Sequence, residues 1–302
     1  MSQKRDIKLI VSLFAVAIVW GTTYLGIRIA VHTIPAWFVA GLRQVVASSI
    51  LLSILLYKRE FKWIGWKSFG RQIIVATLMI IIANGMTTVA EESIPSGLTS
   101  LLTALSPIVV FLGSLVFGLQ KPSLKGFVGV IIGFSGVAFI FRDGIGDILD
   151  PNYKTGITYL AMAIFGWASG TIYTKKYAHR SNHIFIDLFY QFAYAAVAQL
   201  IIASFVSPDT NFKDWSLESL GAIVYLGVFG SVVGFFCYNY ALKKVSATEV
   251  SILSYFNTII AIFLGWLVLN ETVTYDLLIA TVLIILGVFI TNYKKKEVKP
   301  ST

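Results

Sequence analysis

Arg43, Glu91, Glu92, Asp187, His179 and His183 are the residues of this 302-residue chain whose types and spacing could do chemistry. Arg43 stands in an otherwise uncharged run, where a guanidinium needs carbonyls or an acid in place of water. A structural clamp near one end of its helix is preferred here to binding of a substrate carboxylate. Glu91 and Glu92 close a long apolar run and Asp187 opens another. Carboxylates in such places are ordinarily solvated, but a buried one can carry a coupling proton because desolvation disfavours its charged form. Glu91 shares a helical face with Asn84 and Thr87, so it is the candidate for proton coupling. His179 and His183 have the four-residue spacing of a metal pair but no third ligand nearby, so no metal is expected. No activated nucleophile, paired intramembrane carboxylates or Gly-x-Ser-x-Gly elbow accompanies them, and the chain does not read as an enzyme. There is no phosphate-cradling Gly-x-x-x-x-Gly-Lys-Ser/Thr loop, so any work must be driven by gradients rather than by a built-in ATPase. No cofactor is expected, and Cys237, the single cysteine, excludes a disulfide framework.

Polar residues otherwise fall in stripes. Asn84, Thr87, Thr88 and Glu91 recur at three- and four-residue spacing, as do Thr99, Thr103 and Ser106 just before Pro107. Later come Ser231, Cys237 and Tyr238, then Ser251, Ser254, Tyr255 and Thr258. A single hydroxyl is best read as bonding its own helix or a neighbour, at about 0.6 kcal/mol. Four stripes at matching places in two halves instead argue for a water- or solute-filled cavity. Trp20 and Trp167 lie deeper than an interfacial belt, so cavity wall or gate competes evenly with plain packing.

These stripes must be positioned by apolar helices. Hydrophobic residues make up 57% of the chain and charged ones 13%, against a usual apolar share of about 45–50% and charged share of about 25%. That excludes an ordinary soluble domain, and 22 Phe, 14 Tyr and 7 Trp exclude disorder. Ten uncharged runs are long enough, at about 20 residues each, to be read as ten transmembrane helices of an all-α integral membrane protein. With the N-terminus inside, 19 of the 24 Lys and Arg fall in cytoplasmic segments, three outside, and Arg28 and Arg43 within or at the ends of spans. The orientation is therefore N-in and C-in. The net charge of +9 is explained by this bias and by anionic lipid, so nucleic acid is not an expected partner. The basic start could be read as a secretory signal cut after Ala15-Val16-Ala17, but Ile18, Val19 and Trp20 continue the apolar run, favouring an uncleaved first helix.

The polar stretch from Arg142 to Lys154 leaves five runs on each side. An offset of 147 places Trp20 on Trp167 and Gln44 on Gln191; an offset of 151 places Ser100 on Ser251 and Gly136 on Gly287. Since five is odd, the second half must enter the membrane the other way up, which makes two inverted five-helix repeats, residues 1–143 and 154–297. Glycines at 126, 129, 133 and 136 in the fifth helix and at 227, 230 and 234 in the eighth provide faces for close helix approach.

The chain resembles members of the EamA family within the drug/metabolite transporter superfamily. The resemblance rests on Trp20-Gly21-Thr22-Thr23-Tyr24, Pro35 and Gly41-Leu42-Arg43, then on Tyr238-Asn239-Tyr240-Ala241-Leu242, Ser246-Ala247-Thr248 and the run from Leu264 to Glu271. Two positions depart from the family pattern: Gln120 stands in place of Glu, and Thr258 in place of Pro. The resemblance implies a multi-pass carrier of the bacterial inner membrane that exports a small metabolite, such as an amino acid or related amphipathic compound, through a central alternating-access cavity. Its partners would be that small-molecule substrate and membrane lipid, and the family includes monomers. The alternative is a membrane structural or receptor protein without transport. The residues expected to line the cavity near the bilayer midplane are Trp20, Asn84, Trp167, Tyr238, Tyr255 and Asn257, with Asn257 weighted most because a polar side chain in lipid surroundings must find a partner. In a Cys237→Ala background, cysteine placed at 62 or 295 should react with impermeant reagent only from the cytoplasm, and at 147 or 214 only from outside. Labelling of position 147 from the cytoplasm would overturn both the orientation and the inversion.

Overall fold

The computed structural model describes residues 6–140, 151–177, 183–251 and 253–292, and it is helical, with no strand among them. Residues 141–150 of the link between the halves, His179, Arg180 and the basic termini, including Lys4, Arg5 and Lys295, lie outside the described residues. The helices are α1 (Ile7–Ala30), α2 (Ala36–Tyr57), α3 (Trp66–Ala90), α4 (Ser96–Val116), α5 (Leu124–Ile140), α6 (Pro151–Lys176), α7 (Ile184–Val206), α8 (Leu217–Lys244), α9 (Ala247–Leu269) and α10 (Tyr275–Asn292). Among the described residues seven are long and apolar enough to cross a membrane, namely α1 to α4 and α7 to α9, and α5 and α10 carry shorter apolar stretches. Their outer faces are bare hydrocarbon: Phe14, Val116, Ile131, Phe205 and Phe256 are exposed, an arrangement suited to lipid rather than water.

Where the chain turns, the helix starts are fixed by side chains that satisfy otherwise orphaned backbone N–H groups. Asp6 accepts from Leu9 N at 3.2 Å to open α1, and Ser216 accepts from Ser219 N at 3.1 Å to open α8. At α9, Ser246 and Glu249 bond each other's backbone N–H at 3.2 and 2.8 Å, a capping box. Helices α2 and α4 each follow a proline, and their caps come from distant carboxylates. Glu92 accepts from Ala36 N at 2.8 Å, and Glu271 accepts from Ser96 N and Gly97 N at 2.8 and 3.0 Å.

The packing is built from a few tight pairs: α2 on α7, α5 on α10, α4 on α9, α1 against α8 and α9, and α6 against α3 and α4. The glycine faces lie at the closest of these contacts. A Cβ on Gly287 of α10 would strike the α5 backbone at Gly129 and Gly133, and one on Gly234 of α8 would strike the Trp20 indole. Both α3 and α8 widen midway into π-helical stretches, Thr77–Gly85 and Leu226–Val233. A side chain from another helix bonds a carbonyl in each stretch: Gln199 Nε2 donates to Ile80 O at 3.0 Å, and Trp20 Nε1 donates to Gly230 O at 3.0 Å. Such interruptions of the regular ladder concentrate at functional sites.

Candidate functional site

The π-helical stretches border a cavity of about 120 Å³ between α1, α2, α3, α4, α6, α8 and α9. That is close to the about 150 Å³ of an apolar cavity able to take a benzene ring. Part of the lining is aromatic. Trp20 and Trp167 meet edge to face with centroids 5.1 Å apart, and both lie 5.1 Å from Tyr238, with Phe235 5.5 Å from Trp20. Hydroxyl groups of Thr23, Thr87, Thr103, Ser106, Ser251 and Ser254 complete the lining, with Thr23 bonded to the Trp20 carbonyl and Thr103 to Tyr24.

Most of the polar lining is already engaged within the protein. Thr87, Thr103, Ser106, Ser251 and Ser254 donate to carbonyls three or four residues back in their own helices, at 2.6 to 3.0 Å. Tyr24 shares a 2.6 Å hydrogen bond with Thr103, and Tyr238 a 2.7 Å one with Thr171. The Asn257 amide, oriented so that donor meets acceptor, gives Nδ2 to Leu253 O at 3.0 Å and to Ala17 O at 2.8 Å, joining α9 to α1. Arg43 is 2% exposed and lines the cavity, its Nε donating to Ser231 Oγ at 2.8 Å and Nη1 to Asn84 Oδ1 at 3.1 Å. It therefore clamps α2 to both π-helical stretches.

Of the six residues expected to line the cavity, Trp20, Asn84, Trp167, Tyr238 and Asn257 do so, together with Arg43. Tyr255 does not. It is buried in an apolar cluster with Leu101, Leu105, Ile108 and Ile164, because it stands about 100° of helix from Ser254 and about 160° from Asn257, beyond the Ser251 edge of the lining face. Glu91 is fully buried with neither carboxylate oxygen hydrogen-bonded, and it does not line the cavity. Arg28 donates to the backbone carbonyls of Glu91 and Glu92 rather than to their carboxylates. Asp187 belongs elsewhere, in a polar cluster where Gln72 donates to it at 3.1 Å and Gln191 donates to Gln72 at 2.6 Å. Among the described residues no group of three or more His, Cys, Asp or Glu could hold a metal. Tyr24 and Phe235 line the cavity without having been singled out in the sequence, although they stand four residues after Trp20 and three before Tyr238, on the same faces.

The model of the EamA-like transporter family matches residues 7–142 and again 154–293. This chain belongs to that family. It is 30% identical over 266 residues to the uncharacterized inner membrane transporter YedA of Escherichia coli (strain K12), covering 87% of this chain and 83% of the relative. It is 24% identical over 291 residues to the uncharacterized transporter YoaV of Bacillus subtilis (strain 168), covering 95% and 97%, and 26% identical over 293 residues to Protein PagO of Salmonella typhimurium, covering 95% and 93%. A solved crystal structure superposes with a TM-score of 0.70 at 16% identity, over 94% of this chain and 96% of that one, which establishes a shared fold. The cavity is therefore that of a membrane transporter family.

The two indoles that meet in this cavity differ in their bonding, and stability should report the difference. Trp20→Phe leaves the Gly230 carbonyl without its donor, and should lower the unfolding free energy in detergent by about 1–2 kcal/mol. Trp167→Phe, which removes no hydrogen bond to the described residues, should cost well under half of that. Equal losses would show that Trp20 acts through ring packing alone.

Proposed function

We propose that the chain is a carrier of the bacterial inner membrane that exports a small amphipathic metabolite, such as an amino acid or a related compound, by alternating access of this cavity. The single observation that carries the reading is a cavity walled by helices from both halves and lined by aromatic rings together with hydroxyl groups. This is the pattern of ligand pockets, a mostly apolar wall with a few polar groups to orient the solute. The inner-membrane assignment follows the name of the YedA relative. In this reading the helices cross ten times, N-in and C-in, as inverted repeats 1–143 and 154–297.

Two features support the repeat. Exchanging each helix for the one five places on turns the pairs α1·α8, α1·α9 and α2·α8 into α6·α3, α6·α4 and α7·α3, all of which occur, and maps α2·α7, α4·α9 and α5·α10 onto themselves. At an offset of 151, Gln120 corresponds to Glu271 and Gly97 to Thr248. Glu271 accepts from Gly97 N at 3.0 Å, and Gln120 accepts from Thr248 Oγ1 at 2.8 Å. Each half thus fastens the first turn of the other half's fourth helix.

The solute would lie against Trp20, Trp167 and Tyr238, with Asn84 and the lining hydroxyls at its polar groups, while Tyr255 and Asn257 hold α9 behind it. A carrier that rocks between states needs the helices bearing these rings to separate, since they come from both halves. Glu91 is proposed as the coupling group because its carboxyl has no fixed hydrogen-bond partner, and the charges acting on it are those of Glu271, Arg28 and Arg43.

Accumulation of an amino-acid and drug panel in cells lacking or overproducing the protein tests the transporter reading. At least one solute should leave faster from overproducing cells, and an unchanged panel would favour the structural or receptor alternative. For a transported solute, Tyr238→Ala and Asn257→Ala should lower the rate several-fold while inserting normally. Glu91→Gln should leave a rate that no longer responds to an imposed pH gradient. Wild-type rates in both Ala variants would remove the cavity from the transport path.

A further inference from the structure

The hydrogen-bond inventory of the cavity narrows the solute class further, an inference that rests on the transporter reading. The geometry points to a carboxylate subsite formed by Arg43, Asn84 and Trp167. The hydroxyl protons of Thr23, Thr87, Thr103, Ser106, Ser251 and Ser254 are committed to backbone carbonyls, as are Trp20 Nε1 and Asn257 Nδ2, while Tyr24 bonds Thr103 and Tyr238 shares a hydrogen bond with Thr171. Three N–H sources on lining residues bond to none of the described residues: Arg43 Nη2, Asn84 Nδ2 and Trp167 Nε1. They come from α2, α3 and α6, so they draw on both halves of the chain. Arg43 is 98% removed from solvent contact by its 2% exposure, and Asn84 and Ser231 fix its guanidinium in place.

A buried guanidinium with an unused N–H edge favours an anion, because a charge-assisted hydrogen bond is about twice as strong as a neutral one. Among the described residues no Asp or Glu lines the cavity, so the lining charge they supply is positive and a cationic solute is disfavoured. A single lining cation balances one negative charge; a phosphate dianion would leave one charge uncompensated in a poorly hydrated site. A monocarboxylate matches both the charge and the donor count. Its apolar remainder would face Trp20 and Tyr238, in a space of about 120 Å³. Any N–H group of the solute can meet the oxygens of lining hydroxyls, whose protons already point back into their helices.

The test uses the purified full chain in detergent at constant ionic strength, with benzoate, the isosteric uncharged benzamide and phenylphosphonate as probes, read by melting temperature and tryptophan fluorescence. Benzoate should stabilise the wild type and perturb the fluorescence, with benzamide and phenylphosphonate at least tenfold weaker. Arg43→Gln should abolish benzoate binding, and Arg43→Lys should recover part of it. Trp167→Phe removes one donor that has no internal partner and should weaken benzoate about tenfold, which keeps the test open if Arg43→Gln does not fold. Benzamide or phenylphosphonate binding as tightly as benzoate would overturn the subsite, as would a Trp167→Phe variant with unchanged benzoate affinity. If benzoate fails to bind while the solute panel is transported, the carboxylate assignment falls and the transporter reading stands. If benzoate binds as described and nothing in the panel is moved, the subsite stands and the transporter reading falls.

Discussion

A guanidinium surrounded by apolar helices has to be satisfied from within the protein, and the architecture around Arg43 follows from that requirement. A charged side chain at membrane depth costs about 2.5–3.5 kcal/mol on insertion scales, and more if left unpaired. Arg43 meets Ser231 on α8 and Asn84 on α3, and Ser231 in turn donates to Gln44 at 3.1 Å. These bonds require α8 to approach α2 closely, which Gly227 and Gly230 permit: a Cβ at either would collide with Val46 or with the Arg43 side chain. One buried charge thereby fixes the spacing of three helices and one edge of the cavity they enclose.

The same rule of internal satisfaction explains the irregular segments. A π-helical stretch displaces backbone carbonyls from the regular ladder, and lipid offers them nothing. Gln199 reaches Ile80 in α3 and Trp20 reaches Gly230 in α8, so each stretch is bonded by a side chain of the other half. The chain ends of α4 and α9 obey the rule as well. Glu271 answers the N–H groups that open α4, while Gln120 answers a hydroxyl in the first turn of α9. The departure of Gln120 from the acidic residue usual in the family matches this difference. The α9 start already has its own Ser246–Glu249 capping box, so a neutral acceptor suffices there.

Much of this was legible in the sequence because lipid imposes length, polarity and charge asymmetry so strongly. The apolar runs could be read from spacing, and the family resemblance pointed to helices on which Trp20, Asn84, Trp167, Tyr238 and Asn257 border the cavity. The glycine faces were legible for a similar reason, since small residues at helical spacing have few uses other than close approach. Tyr255 was misplaced because a stripe that includes Ser251, Ser254 and Thr258 brings 255 within one residue of the correct face, and burial, not composition, decides which side a tyrosine takes. Asn257 lines the cavity as expected, but its amide holds two carbonyls rather than waiting for a solute. Of the hydroxyl stripes, Thr87, Thr103, Ser106, Ser251 and Ser254 line the cavity with their protons turned inward, while Thr88, Thr99, Ser231 and Thr258 are buried away from it. What spacing cannot encode is partnership across helices distant in sequence. The pairing of Arg43 with Ser231, or of Glu271 with Ser96, follows only once the helices are packed.

The account stands or falls on whether the solute passes through this cavity. Ser254 lines it, and a cysteine there differs by one atom, so Ser254→Cys in a Cys237→Ala background places a reporter inside the space. In proteoliposomes, alkylation of that cysteine by a thiol reagent should stop transport of an exported solute, and saturating solute should slow the alkylation. Full alkylation with unchanged transport, at a rate indifferent to the solute, would contradict the cavity as the transport path.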